Sequence, residues 1–284
     1  MNIDKSMEAG PTILGLIGSG RKLGNCELFV KEVARNVPLE HRLRLIRLSS
    51  LDIRPCKGCY RCIYEGTCGI EDHTSFLIRE IVSSDALIVA APVYFLGTHS
   101  SVKRLLDRAF SFFGCLDGTQ GKPCLLVSVY GMRHRMGTSS QTLLSLASFL
   151  GLNVRASVNI QATLPGDVLD NRHHLQTAAR LASLLFSNSK PPSRRRSCPF
   201  CGNDIVRIER SGFTCTLCHG SFTLDEHGVP VKVRQGWDVG NIEFVRAHRE
   251  WLKGMKTHFL AKKREIVARS LPYKDMGTWI EPGR

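Results

Sequence analysis

An α/β fold built on a doubly wound, five-stranded parallel sheet is predicted for this chain by three observations. Strand-length apolar runs recur between Thr12 and Gln161, they are continuous rather than alternating, and helix-length segments separate them. Continuous apolar runs mark strands buried on both faces, as in a parallel sheet whose crossover helices cover both sides. Five such strands interleaved with five helices imply right-handed crossovers and a layered sandwich. The 284 residues, 43% of them hydrophobic, leave room for about two domains and exclude disorder along the whole chain.

In chain order, the strands are expected at Thr12 to Gly18, Arg42 to Leu48, Ala86 to Ala91, Pro123 to Tyr130 and Asn153 to Gln161. The helices between them run from about Cys26 to Asn36, Thr74 to Ser83, Ser100 to Phe113, Thr138 to Leu150 and Asn171 to Ser187. Residues 10–187 thus form one domain. Asn188 to Ser197, NSKPPSRRRS, reads as an extended linker whose three arginines are solvated. A small cysteine-bearing unit at 198–224 follows, then a tail at 225–284. Within the tail, Phe244, His248, Trp251, Leu252, Met255, Phe259 and Ile266 recur at helical spacing over 241–267, which predicts one amphipathic helix packed on its own protein or on a second subunit.

Lysine and arginine number 39 against 25 acidic residues, a formal charge of +14, which suits an anionic partner such as a nucleotide phosphate. Residues 188–284 hold 18 basic and 10 acidic side chains, but the excess is spread through a helix that also needs an apolar face, which argues against nucleic acid. The start, MNIDKSMEAG, lacks a basic and apolar leader, and no apolar run approaches the ~20 residues that span a bilayer. A cytoplasmic protein without membrane contact is expected.

Eleven cysteines, an odd number, argue against a disulfide framework and for reduced thiolates held by metals. Eight form two groups: Cys56, Cys59, Cys62 and Cys68, and Cys198, Cys201, Cys215 and Cys218. Cys26, Cys115 and Cys124 read as small buried hydrophobes. Cys26 is the least secure of these because it opens a helix beside a glycine-rich turn, and it is also carried as a candidate of that loop.

Ligands of a doubly wound sheet sit outside the carboxyl ends of the strands. After the first strand comes Gly18-Ser19-Gly20-Arg21-Lys22-Leu23-Gly24-Asn25-Cys26. Small residues permit a tight backbone, and a helix N-terminus offers free N–H groups to a phosphate. Neither the dinucleotide glycine fingerprint in register nor the ATPase loop ending in Lys-Ser/Thr is present. After the third strand, Pro92-Val93-Tyr94-Phe95-Leu96-Gly97 places aromatic and aliphatic groups where a planar ring can lie.

Ser19, Arg21, Gly24 and Asn25, taken with Pro92, Val93, Tyr94, Phe95, Leu96 and Gly97, resemble the FMN site of the NAD(P)H-dependent FMN reductase group of flavodoxin-like proteins. The resemblance covers roughly residues 10 to 187. It implies that the first loop holds the ribityl phosphate, that the second backs the isoalloxazine, that Gly131 supplies a third contact, and that the protein is a homodimer or homotetramer completing its flavin site between subunits. His134, in the third loop, reads as solvated rather than as a donor to the flavin.

The first cysteine group, C-x2-C-x2-C-x5-C, can wrap one [4Fe–4S] cube, with zinc and redox-active or structural thiols as the competing readings. On top of the flavin fold, this motif resembles the iron–sulfur flavoproteins, and all four cysteines match. The resemblance implies electron traffic among a cluster, FMN and a ferredoxin-like or NAD(P)H donor. No catalytic acid, base or nucleophile is then required, and no triad or paired-carboxylate constellation is present in the sequence. The second group, C-x2-C-x13-C-x2-C, has the spacing of a zinc ribbon, with rubredoxin-like iron as the rival; NDIVRIERSGFT between the knuckles alternates and turns at Ser211-Gly212, as a hairpin does.

Three functions follow. The first is an FMN-dependent oxidoreductase of the iron–sulfur flavoprotein type. The second is an NAD(P)H-dependent FMN or quinone reductase without a cluster. The third is a redox-sensing zinc-ribbon binding protein.

Overall fold

The computed structural model describes residues 10–189 and 197–273. The first strand, β1 (Thr12–Ile17), is buried along its whole length and pairs in parallel with β2 (Arg42–Arg47) on one side and β3 (Ala86–Tyr94) on the other. A two-residue strand, β4 (Gly97–Thr98), turns back on the end of β3. β3 pairs in parallel with β5 (Pro123–Tyr130), and β5 with β6 (Asn153–Gln161), giving the order β2-β1-β3-β5-β6. Strand order therefore reverses at β1 and β3, and the crevice above them is the place for a ligand.

Helices cover both faces. Ile13 and Ile17 of β1 point into a core shared with α1 (Asn25–Arg35) and α7 (Arg172–Leu185), the latter preceded by the single turn α6 (Asp167–Asp170). Leu14 and Leu16 point the other way, into a core shared with α3 (Thr74–Val82), α4 (Ser100–Asp107) and α5 (Ser139–Phe149). The continuous apolar runs of β1, β3 and β5 are the signature of this two-sided burial, whereas the edge strands β2 and β6 alternate and are less buried, contrary to the expectation of continuous runs throughout.

Two expected elements differ in extent and one element was not expected. The third strand runs on to Tyr94 because its last residues pair with β4 rather than with the parallel sheet. The helix expected from Ser100 to Phe113 is α-helical only to Asp107 and continues as a 3₁₀ stretch from Ala109 to Gly118. The loop bearing the first cysteines contains its own short helix, α2 (Arg61–Glu65), which lies too close to its glycine stop at Gly66 to show a period in sequence.

The second unit is larger than the expected 198–224. β7 (Val206–Glu209) and β8 (Gly212–Cys215) form the anticipated hairpin, and β9 (Ser221–Leu224) and β10 (Pro230–Arg234) extend it to a four-stranded antiparallel sheet ordered β10-β9-β8-β7. β10 belongs to what the sequence assigned to the tail. α8 (Ile242–Ser270) follows; its first turns bury Ile242 and Val245 in the core around α4 and α5, with Leu252 packed against it. Of the expected linker, residues 190–196, which include all three arginines, lie outside the described residues. Among the described residues no helix is long and apolar enough to cross a membrane.

Candidate flavin and metal sites

The loop between β1 and α1 is built to present backbone donors. Gly24 is the N-cap of α1 and provides no side-chain cap, so the first N–H groups of the helix face the loop without a side-chain acceptor from the cap. A brace behind the loop fixes its shape. Arg47, from the end of β2, donates Nη1 to the carbonyls of Ser19 at 3.1 Å and Arg21 at 2.8 Å, and Nη2 to Glu27 Oε2 at 2.8 Å. Glu27 in turn accepts from the Leu23 N–H at 3.0 Å and from Lys31. Burial opposes ionisation of Glu27, but the hydrogen bonds from Lys31, Arg47 and Leu23 outweigh it and hold the carboxyl at about 2. Neither Arg47 nor Glu27 stands out in sequence, since each is an ordinary charge on a strand or helix until the fold brings them together.

Of the loop residues singled out in sequence, Ser19 is buried and Arg21 is exposed. Asn25 points elsewhere: Nδ2 donates to Leu164 O at 2.8 Å and Oδ1 accepts from Gly166 N at 2.9 Å. Its side chain ties the loop after β6 to the loop between β1 and α1, leaving the Asn25 backbone N–H free of that tie. Cys26 is buried in the core beside Phe29 and Val30, and burial pushes its thiol up to about 12. It is a packing residue, as for the other two isolated cysteines: Cys124 is fully buried and Cys115 half-buried with Sγ directed to Phe112 O at 3.3 Å.

The loop after β3 is a tight hairpin. Val93 pairs with Thr98 and Tyr94 with Gly97, so Phe95 and Leu96 form a two-residue turn with φ of 47° and 63°. Two consecutive non-glycine residues in the left-handed region each cost about 1 kcal/mol or more. Phe95 is fully exposed at 106%, and Tyr94 and Leu96 are about half exposed. The third loop is stitched to this turn, for Thr138 N donates to Leu96 O at 2.7 Å. Gly137 makes the approach possible: its φ is 56°, and a Cβ there would stand 1.9 Å from Leu96 O. Gly131 O accepts from Thr163 Oγ1 at 2.9 Å, and His134 is exposed with φ of 61°. Leu23, Tyr94, Phe95, Leu96, Met132 and Leu164 thus form an exposed apolar rim on the loops at the carboxyl ends of four strands.

The first cysteine loop is tied to the end of α4 through Arg108. Cys56 and Cys59 are exposed, Cys62 and Cys68 half-buried. The Cys62 thiol is pushed up by burial and then by the charges of Cys68, Cys56 and Cys59, which shows the four thiols to be neighbours. They are nevertheless not drawn in as tightly as ligands of one ion. Among the described residues, the group that is so drawn in is Cys198, Cys201, Cys215 and Cys218, whose sulfurs all lie within 4.8 Å of one another. Four thiolates around one tetrahedral zinc stand ~3.8 Å apart at the usual Zn–S length, whereas those on a cube each hold a different iron and stand farther apart.

Buried charge holds the ends of that loop. Arg108, just past α4, donates Nη1 to Asp72 Oδ2 at 2.5 Å and to Arg54 O at 2.7 Å, and Nη2 to Cys68 Sγ at 3.3 Å. Asp72 also accepts from the N–H groups of Arg54 and Thr74 at 2.9 and 2.8 Å. Burial opposes its ionisation, but these bonds hold it at about 2. Gly114 N donates to Gly66 O at 3.0 Å, seating the middle of the loop on the 3₁₀ stretch. From α8, Arg249 donates to the carbonyls of Ile63 and Tyr64 at 2.5 and 3.2 Å, and Lys256 lies over the Tyr64 ring at 4.3 Å.

The second group forms two facing knuckles. Cys198 and Cys218 sulfurs are 3.5 Å apart, as are those of Cys201 and Cys215. Leu217 N and Gly220 N direct hydrogen bonds at Cys215 Sγ and Cys218 Sγ, both at 3.4 Å, which favours thiolates. Ser140 Oγ at the start of α5 donates to Asp204 Oδ1 at 3.0 Å, and Trp237 stacks on Phe244 of α8 at 4.8 Å, so the ribbon is seated on the larger sheet's helices.

A sequence model of NADPH-dependent FMN reductases matches residues 11–163, the whole of β1 to β6 and the loops just described. The chain belongs to the NADPH-dependent FMN reductase family. The chain is also similar to an iron–sulfur flavoprotein of Methanocaldococcus jannaschii, 34% identical over 98 residues, and to one of Methanosarcina thermophila, 29% identical over 144 residues. These matches take in 34% and 50% of this chain and 51% and 73% of the relatives. A third, from Archaeoglobus fulgidus, is 31% identical over 100 residues, 35% of this chain and 46% of the relative, so the chain spans about half the length of two of the three. Among solved structures, a flavone reductase superposes with a TM-score of 0.74 over 96% of this chain and 100% of its own, at 16% identity. That likeness is one of fold, and it takes in the second unit and α8 as well as the FMN reductase sheet.

Proposed function

We propose that this member of the FMN reductase family is a flavin-dependent oxidoreductase of the iron–sulfur flavoprotein type. FMN is held by Ser19, Arg21, Gly24 and the backbone of Asn25 and Cys26, by Pro92 to Gly97 and by Gly131; a [4Fe–4S] cluster by Cys56, Cys59, Cys62 and Cys68; and a structural zinc ion by the second cysteine group. The observation that carries this reading is the position of α4. Ser101 Oγ near its start donates to Gly18 O of the phosphate loop at 3.3 Å, while Arg108 past its end donates to Cys68. Seven residues at about 1.5 Å each separate the two by about 10 Å along the helix. One short rigid element thus spans the two candidate cofactor loops.

When bound, such a pair supplies single-electron transfer at the cluster and one- or two-electron transfer at the flavin. The chain's own residues bind and orient. Arg47 and Glu27 hold the phosphate loop in shape, the Phe95-Leu96 turn gives the ring an apolar platform, and Gly137 lets the third loop close on that turn. The exposed apolar rim around these loops supports a homodimer or homotetramer in which a second subunit covers the flavin.

Anaerobic reconstitution followed by analysis per chain tests the assignment. About four iron, four sulfide, one zinc and one FMN are expected; two zinc and no sulfide would reassign the first loop. The family's description favours NADPH as electron donor, in place of or beside a ferredoxin-like protein. Rapid flavin bleaching by NAD(P)H alone, in protein whose first cysteines are replaced by serine, would support the reductase reading without a cluster.

A further inference from the structure

Arg108 has the largest fully buried side chain among the described residues, at 2% exposure. A guanidinium so placed must be paired and hydrogen-bonded, because an isolated buried charge is expensive. Asp72 supplies the countercharge and Arg54 a carbonyl. The remaining contact, Nη2 to Cys68 Sγ at 3.3 Å, is not needed to neutralise the guanidinium and is directed at a metal-ligand candidate. The Nε has no partner among the described residues, so the side chain is not arranged to satisfy itself fully. A tether alone would be served by the Asp72 pair, whose carboxylate already takes two backbone N–H groups from the loop's ends.

We infer that Arg108 is a positioning residue that also sets the electron affinity of the group held by the first cysteine loop; the inference rests on the cluster reading above. A one-electron reduction adds one negative charge and, at an iron–sulfur cluster, need take up no proton. A buried positive charge next to a ligand sulfur favours the more negative state, and an N–H···S bond withdraws density from the thiolate in the same sense. Asp72 works against this, partly cancelling the charge that it anchors. The two residues should therefore move the potential in opposite directions, which a purely structural pair would not do.

The test uses the full chain, reconstituted anaerobically with iron and sulfide, with metal and sulfide content, FMN content and the spectroscopically followed midpoint potential of the cluster as readouts. Arg108→Gln is expected to titrate at lower potential than the wild type and Asp72→Asn at higher potential, with FMN content unchanged. Arg108→Lys, which keeps the charge and loses the planar fork, is expected between the wild type and Arg108→Gln. Equal potentials in the wild type and the variants overturn the inference. So does loss of the cluster from every variant, which leaves Arg108 a tether only. A wild type that takes up no iron and sulfide overturns the cluster reading itself, and with it this inference, and is recognisable without any variant.

Discussion

Single charged residues carry much of the shape of both loops. Glu27 and Asp72 are each held at about 2, below the usual carboxylate range of about 4. A folded-state pKa below the unfolded one gives stability that is present above about pH 4 and is lost as the pH falls toward 2. Denaturant unfolding at a series of pH values is expected to show this loss in the wild type and a shallower dependence in Glu27→Gln and Asp72→Asn. Gly137 is the second residue-scale prediction. Ala at this position meets Leu96 O at 1.9 Å in a backbone conformation that L residues rarely adopt, so Gly137→Ala should lose about 2 kcal/mol or more. Urea unfolding reads the loss, and fluorescence titration with FMN is expected to show weaker binding. For Arg47→Met, which removes the brace but not the loop, FMN affinity is expected to fall about tenfold, the equivalent of one charge-assisted hydrogen bond.

At the scale of elements, α8 is a clamp. Arg249 holds two carbonyls of the turn that carries Cys62, and its guanidinium also lies 5.3 Å from the centre of the Phe113 ring. Arg249→Ala is expected to speed amide hydrogen exchange in residues 61–66 about tenfold or more while leaving β1 and β3 unchanged, since two charge-assisted bonds are lost locally. The sheet was legible in the sequence because a strand buried on both faces leaves a continuous apolar run, and Ile13 to Ile17 is such a run. The loops were legible only in part. Glycines and cysteines announce themselves by type and spacing, whereas Arg47, Arg108 and Arg249 act across separations of 20 to 186 residues and look like ordinary surface charges until the chain is folded. Asn25 shows the reverse case. Its place beside a glycine-rich turn marks it as a ligand contact, yet its amide is spent on Leu164 and Gly166.

In the whole molecule, the two cysteine groups are connected through one helix. The ribbon packs on Phe244 through Trp237, Trp237 N donates to Cys218 O at 2.7 Å, and eight residues beyond Trp237 α8 enters the core with Val245 before reaching the first cysteine loop with Arg249. Chelation of the second site should therefore do more than unfold four short strands. Under the proposed zinc assignment, a ribbon of this size has too little core to fold without the ion. Its loss is expected to raise the exposure of Trp237, read by fluorescence quenching, and to raise the exchange of residues 61–66 as Arg249→Ala does. Unchanged exchange there after chelation would show α8 to be held by the larger sheet alone.

The turn at Phe95 and Leu96 bears on how far this protein can be stabilised. A two-residue hairpin of this geometry is ordinarily filled by Asn-Gly, which adopts left-handed backbone angles at little cost. Phe95→Asn with Leu96→Gly should accordingly raise the melting temperature, by several degrees if about 1 kcal/mol is relieved. It should at the same time remove the apolar tip from the mouth of the flavin crevice and weaken FMN binding. Thermal tolerance and cofactor retention would then be seen to compete for the same two positions, and a heat-selected variant altered there would be expected to purify pale.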